Sequence, residues 1–391
     1  MAGERLLTRD FWLLGLADLA YFTSVGVAFL ALPLTVTGPI GSDEAGAGLA
    51  FGAFGITALV CRPFAGRLSD RYGRRPLMIA GALGCGLGMV LMPYVDSLAL
   101  VVALRLLQGV AEAAFFVAGF ALLADLAPPS RMGEALSYNS LGLYLGIALG
   151  PFVGELLAEA GGLDLAWYGA TALAVLAAVL TLVLTEPARA DGGDGHGQLI
   201  HRAAIPISLG FFTSLAAVSG FLAFAALHSR DIGLSNTSLA LLTYGLVVVF
   251  CRLVFARVPD RLPSLPLAAA SLLAIGAGLA VMAAWQQPAG LLLGVVVAAV
   301  GVSFATPAFF SAIFATASPS ERGAASGTAS AFIDLGLGAG PILMGVVADA
   351  RGIPAAFGIG AGIALLGCAW VVLLQARPGQ SSLGTSTHSA R

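Results

Sequence analysis

Lysine is absent from this chain of 391 residues, and charge of either sign is scarce: charged side chains make up 10% of it, against 58% hydrophobic residues. Soluble domains carry about a quarter charged residues, so the composition excludes an ordinary water-soluble globule and points to a bilayer. Cysteine is rare too. Cys61, Cys85, Cys251 and Cys368 show no paired spacing, which argues against a disulfide framework or a zinc site, and they read as small packing residues in or beside apolar stretches. A net charge of −2 suggests neither nucleic acid nor a strongly charged soluble partner. No metal cluster, nucleophile motif or soluble catalytic domain is present in the pattern, so the chain does not read as an enzyme.

What the sequence does have is apolar length. Runs of roughly twenty residues, enough to cross about 30 Å of hydrocarbon at 1.5 Å per residue, recur throughout. They fall at 11–35, 45–66, 77–95, 98–124, 135–158, 166–185, 205–228, 237–257, 265–285, 289–316, 324–348 and 354–375. Their continuity predicts helices rather than barrel strands, giving an all-α integral membrane protein of twelve transmembrane helices. The first run is too long for a signal-peptide core and has no convincing cleavage site, so it is expected to remain as a membrane helix. Of the 19 arginines, 16 fall in the terminal tails and the even-to-odd connections, counting Arg62 and Arg252 just inside run ends. Positive charge gathers on the inner side, so both termini are expected in the cytoplasm.

The chain is also written twice. "CRPFAGRLSDR" at 61–71 aligns without a gap with "CRLVFARVPDR" at 251–261, an offset of 190. The same offset relates Pro129-Ser130 to Pro319-Ser320 and Gly150-Pro151 to Gly340-Pro341. Two six-helix pseudo-repeats follow: residues 1–186, a polar glycine-rich cytoplasmic linker at 187–204, a second half at 205–375 and a disordered cytoplasmic tail at 376–391. Asp191, Asp194, His196 and His201 in or beside the linker have no spacing that would preform a metal site, and no metal is expected.

Five charged side chains crowd into "GRLSDRYGRRP", residues 66–76. Topology explains its arginines but not Asp70, which a turn before Arg74 can form a charge-assisted bond. The longer string "GRLSDRYGRRPLM", 66–78, resembles the signature loop between helices two and three of the major facilitator superfamily, with Gly66, Leu68, Asp70, Arg71, Gly73, Arg74 and Arg75 matching. The resemblance implies parallel six-helix halves around a midplane substrate cavity. It also implies a conformational gate built from this loop (Gly66, Asp70, Arg71, Gly73, Arg74), with Asp125 as a third partner. In the second copy Pro263 stands where Gly73 does and nothing matches Arg74-Arg75, so the latch is expected to be one-sided.

The fifth run, "NSLGLYLGIALGPFVGE" at 139–155, places Gly142, Gly146, Gly150 and Gly154 near one helical face, with Pro151 freeing a carbonyl and permitting a bend. Tight packing alone would account for that face. The string also resembles the glycine-proline motif of proton-coupled antiporters in the superfamily, the drug exporters especially, with Glu155 in place of its last glycine. Gly340 and Pro341 repeat the theme in the eleventh run. "RLLQGVAEAAFF" at 105–116 resembles the fourth-helix signature of the same exporters. Positions 105, 108 and 112 share a face, so Arg105, Gln108 and Glu112 are expected to point at protein or water, as a cavity wall or as a self-neutralising pair.

Asp18 is the second intramembrane acid. An acid in apolar surroundings favours its neutral form and one beside a guanidinium its charged form, so switching between such settings loads and unloads a proton. Glu112, Asp18, Arg105 and, as a packing acid or a further carrier, Asp334 are the proton-coupling candidates. Tyr21, Gln108, Phe115 and Tyr144 are the substrate-binding candidates. The resemblance implies a cell-membrane antiporter, working as a monomer with a proton gradient and no cofactor, that exports small lipophilic molecules such as drugs, antibiotics or metabolites. The alternative on the same fold is an importer, symporter or uniporter of a sugar or organic acid, which would call for more polar groups than runs seven and ten carry. Arginine without lysine, amid abundant alanine, glycine and leucine, suggests a bacterial source.

Overall fold

The computed structural model describes residues 6–128, 131–186, 200–255, 257–318 and 321–376. Pro129-Ser130, Pro319-Ser320, the linker residues Asp191, Asp194 and His196, and the tail from 377 lie outside them. Among the described residues every regular element is helical: α1 (Arg9–Thr37), α2 (Glu44–Tyr72), α3 (Arg74–Leu91), α4 (Leu98–Leu126), α5 (Met132–Leu182), α6 (Ile205–Asp231), α7 (Leu239–Val254), the one-turn α8 (Val258–Arg261), α9 (Ser264–Ala284), α10 (Pro288–Phe314), α11 (Arg322–Arg351) and α12 (Ile353–Gln375). Ten are long and apolar enough to cross a membrane, and α7 is a shorter apolar helix.

α5 accounts for two of the expected spans. Its 51 residues would run about 77 Å if straight, more than twice the hydrocarbon thickness. It breaks at Gly161 and Gly162, the latter at φ 80°, ψ 177°, a conformation open only to glycine. The arms then double back. Gly150 on the first arm packs on Gly26 of α1, while Ala170 on the second accepts a 2.7 Å hydrogen bond from Ser24, two residues away. Backbone dihedrals stay helical through Pro151, so the sharp break comes after the proline that the sequence marked.

Local chemistry sets the other ends. Thr8 Oγ1 accepts from the Phe11 N–H at 3.2 Å to cap α1, and Asp43 Oδ1 accepts from the Gly46 N–H at 2.7 Å to cap α2. Gly73, at φ 105°, turns α2 into α3, where a side chain would be strained.

The repeat holds in space at the offset read from the sequence. A Cβ on Gly146 would meet Phe22 and Thr23 at 2.8 Å, and one on Gly336 would meet Leu215 at 2.8 Å and the Phe212 carbonyl at 2.9 Å. Gly150 lies on Gly26 as Gly340 lies on Ala216. Tyr21 stacks on Phe115 (centroids 3.9 Å), and Phe211, its counterpart 190 positions on, stacks on Phe309 (5.0 Å), about one helical turn beyond the counterpart of Phe115. The antiporter-like glycines therefore act, in this structure, as the surface on which α1 closes against α5.

By packing, the chain forms two compact units. The first holds α1 to α5 together with Leu222–Leu246, the far end of α6 and the start of α7; the second holds the rest of α6 and α7 and everything from α8 onward. The division cuts through α6 and α7 rather than following the linker, because the segment between them is tied to α5.

Candidate functional site

Polar side chains buried in apolar helices are costly unless partnered, so they mark where the molecule does chemistry. In the first unit they cluster on α1, α2, α4 and the first arm of α5. Asp18 is 4% exposed on α1 and bonded by the Asn139 side chain from α5. Gly119 of α4 faces it: a Cβ there would lie 3.8 Å from Asp18 Oδ1. Asn139, one of only two asparagines in the chain, was not singled out by the sequence reading.

Glu112 on α4 takes its cation from α2. Arg62 Nη2 lies 3.5 Å from Glu112 Oε1, and the same guanidinium sits 4.4 Å from the Phe116 ring centroid. Arg62 read from sequence as a topological anchor. Its position at the head of the repeated "CR" segment was the available signal, since Arg252 keeps it in the second copy.

Arg105 and Gln108 do share a face with each other, and both are fully buried inside the unit. Arg105 donates through Nε to the Ala50 carbonyl at 3.2 Å and through Nη1 to Gln108 Oε1 at 2.6 Å, and it lies over Phe54 at 4.5 Å. Gln108 in turn reaches the Met89 sulfur at 3.6 Å. Two glycines make the room: a Cβ on Gly109 would fall 2.9 Å from Thr57 Cβ, and one on Gly88 would fall 2.6 Å from Gln108 Cγ. Tyr21 and Phe115, stacked on one another, are likewise fully buried, whereas Tyr144 is half-buried. Asp334 is buried on α11 in the second unit.

The loop between α2 and α3 is an ion network. Arg74 donates to Asp70 at 2.7 Å and to Asp125 at 3.3 Å, and Arg71 lies 5.3 Å over the Tyr72 ring. Gly66 stands on α2 with only Val117 within 4 Å of its missing Cβ. A residue not anticipated completes the loop. Glu186 accepts the Arg74 N–H at 2.8 Å and the Arg75 N–H at 2.9 Å, capping α3 from beyond the end of α5, while Arg75 donates to the Leu182 carbonyl. Negative charge at a helix N-terminus is favourable, and no local pattern in the sequence ties position 186 to position 74. All of these partners lie in the first unit. Replacing Glu186 by Ala is expected to cost about 1 kcal/mol, the usual worth of a helix cap, seen as a lower melting temperature in detergent with helix content retained.

Among the described residues no group of three or more His, Cys, Asp or Glu could hold a metal ion. His201, at the end of the linker, is buried: its N–H donates to Thr328 Oγ1 at 2.9 Å and its ring lies 3.2 Å from the Thr316 carbonyl.

The sequence profile of the Major Facilitator Superfamily matches residues 14–313 and 207–390, nearly the whole chain. The chain belongs to that superfamily. An uncharacterised MFS-type transporter of Salmonella typhimurium is 29% identical over 377 residues, covering 90% of this chain and 93% of the relative. One from Burkholderia pseudomallei is 27% identical over 387 residues, 94% of each chain. Among solved structures, the human organic anion transporter MFSD10 covers 95% of this chain and all of its own, at TM-score 0.71 and 19% identity. A mutant of the nucleoside transporter NupG covers 94% and 100%, at TM-score 0.79 and 14% identity. A bacterial homologue of the human lysosomal transporter Spinster, captured inward-facing and occupied, covers 93% and 96%, at TM-score 0.78 and 15% identity. These likenesses share the major facilitator fold. The protein is a multi-pass membrane transporter, of a superfamily whose members are in general not enzymes.

Proposed function

We propose that this transporter is a proton-coupled antiporter that exports small lipophilic molecules across the cell membrane, as a monomer, with both termini in the cytoplasm and the proton gradient as its energy source. One observation carries the reading: the first unit buries two carboxylates, Asp18 on Asn139 and Glu112 on Arg62, at positions whose counterparts 190 residues on are the uncharged Ser208 and Val302. Each acid sits on a polar partner within an otherwise apolar membrane helix, which is a position where a proton carrier is expected. Runs seven and ten, 205–228 and 289–316, carry no Asn, Gln, Asp, Glu or Arg, which suits lipophilic cargo better than sugars. The loop of Asp70, Arg74 and Asp125 is the gate in this reading, making and breaking contacts with the other half as the transporter alternates.

The test uses purified full-length protein in proteoliposomes with an imposed pH gradient and a trapped pH dye. Lipophilic cations and neutral antibiotics are expected to trigger proton movement, and sugars and organic acids are not. Proton movement triggered only by the latter, or uptake indifferent to the gradient, would replace the exporter reading with a nutrient carrier.

A further inference from the structure

Glu155 stands where the antiporter motif has its last glycine, and it accepts four hydrogen bonds. One oxygen accepts from the Thr237 N–H at 2.5 Å and from its hydroxyl at 2.7 Å; the other accepts from the Ser238 N–H at 3.1 Å and from its hydroxyl. Ser238 and its neighbours open α7, so this single side chain satisfies donors that a helix start leaves over.

The clasp is one of two fixed points along a seam. Seven residues before Glu155, Ala148 of α5 meets Gly245 of α7, so closely that a Cβ on Gly245 would fall 2.5 Å from Ala148 Cα. Position 245 is seven beyond 238. Equal steps in opposite directions mean that α5 and the first two turns of α7 run antiparallel in register, small residue against small residue at one point and carboxylate against helix start at the other. This seam joins an element of the first repeat to one of the second, and with it Leu222–Leu246 belongs to the first unit.

We propose that Glu155 is the gate residue of this end of the transporter, the end where α5 turns back, opposite the Asp70–Arg74 loop. Alternating access requires the two repeats to part at one end while they close at the other. The Ala148–Gly245 contact is apolar and directionless, whereas the clasp is charge-assisted and made only when α7 is in register. Glu155 thus sets how long this end stays shut. The inference rests on the fold and on the seam, and it stands or falls independently of what is transported or whether protons drive it.

The experiment reads accessibility rather than transport. Full-length protein with its four cysteines replaced carries one reporter at a time: Leu241→Cys, 2% exposed beside the clasp, or Tyr138→Cys, 45% exposed at the other end of α5. A membrane-impermeant maleimide is applied to protein in detergent micelles, where both ends are reachable. Glu155→Ala is expected to raise the labelling rate of Leu241→Cys about tenfold, the worth of losing hydrogen bonds to a charged group. It is expected to lower that of Tyr138→Cys as the far end closes. Glu155→Gln, which keeps one acceptor oxygen, falls between. If Glu155→Ala does not fold, Thr237→Val combined with Ser238→Ala removes both hydroxyl donors and is expected to shift both reporters in the same directions. A rise at Leu241→Cys with Tyr138→Cys unchanged would mean a local brace that frays, and no change at either reporter would mean no role; both results overturn the gate.

Discussion

Replacing Glu112 by Gln is expected to reduce proton-driven transport by more than about tenfold while leaving the folded protein intact. Gln keeps the length and the hydrogen-bonding oxygen that faces Arg62 Nη2 at 3.5 Å, so packing survives, but it can neither gain nor lose a proton. The effect follows from the cycle rather than from stability. A carrier that cannot release its proton cannot convert the gradient into movement of cargo, and the loss of even about 1.4 kcal/mol of driving force is a tenfold change in a transport equilibrium. Arg62→Gln tests the same site from the other side. It leaves Glu112 in an apolar setting without the guanidinium that faces it, and transport is expected to fall as in Glu112→Gln. Asp18→Asn keeps a polar contact with Asn139 and probes whether the second acid carries protons or positions α1 against α5. The measurement is dye-reported proton movement in proteoliposomes with a compound known to elicit it from the parent protein. Full activity in Glu112→Gln with loss in Asp18→Asn would move the carrier to α1; full activity in both would sink proton coupling through these acids.

The fold was legible in the sequence because its determinants are local or periodic. Apolar length announced the spans, and a constant offset of 190 announced the repeat, which returns as Gly150 on Gly26 and Gly340 on Ala216. The two runs expected at 135–158 and 166–185 are there, joined through Gly161-Gly162 without a stretch of loop. The site was legible only by half. Asp18, Arg105, Gln108 and Glu112 stood out because strongly polar side chains in an apolar run are rare, and Asp70, Arg74 and Asp125 because their spacing resembles a signature. Their partners did not stand out, since a contact between residues 62 and 112, 18 and 139, or 74 and 186 depends on how helices lean together. The shared face of Arg105 and Glu112 shows the limit most clearly: both are on α4, yet Arg105 bonds Gln108 and Ala50 while the cation beside Glu112 is Arg62 of α2. Glu155 read as a weak point in a motif because its partners lie 82 and 83 residues away.

Adding a single methyl group at Gly150 is expected to be among the most damaging substitutions in the membrane region. A Cβ there would fall 2.5 Å from the Cα and carbonyl carbon of Gly26, and these are backbone atoms that no rotamer change can clear. α1 and α5 must separate over their whole shared length, because the same stripe places Gly146 on Phe22 and Gly154 on Val27. Without water to squeeze out, helices in a bilayer hold together largely by such close approach, so the loss is not recovered elsewhere. Overpacking of this kind costs about 1–3 kcal/mol per site, and Gly150→Val should exceed Gly150→Ala. Gly327→Ala on α11 is the control, since nothing lies within 4 Å of its missing Cβ and alanine is the better helix former. Thermal unfolding in detergent is expected to show a marked drop for Gly150→Ala and an unchanged or slightly raised midpoint for Gly327→Ala. Because Asp18 and Asn139 sit on these same two helices, the drop should come with lost proton movement; a stable Gly150→Val protein with full activity would mean that α1 and α5 need not approach this closely to work.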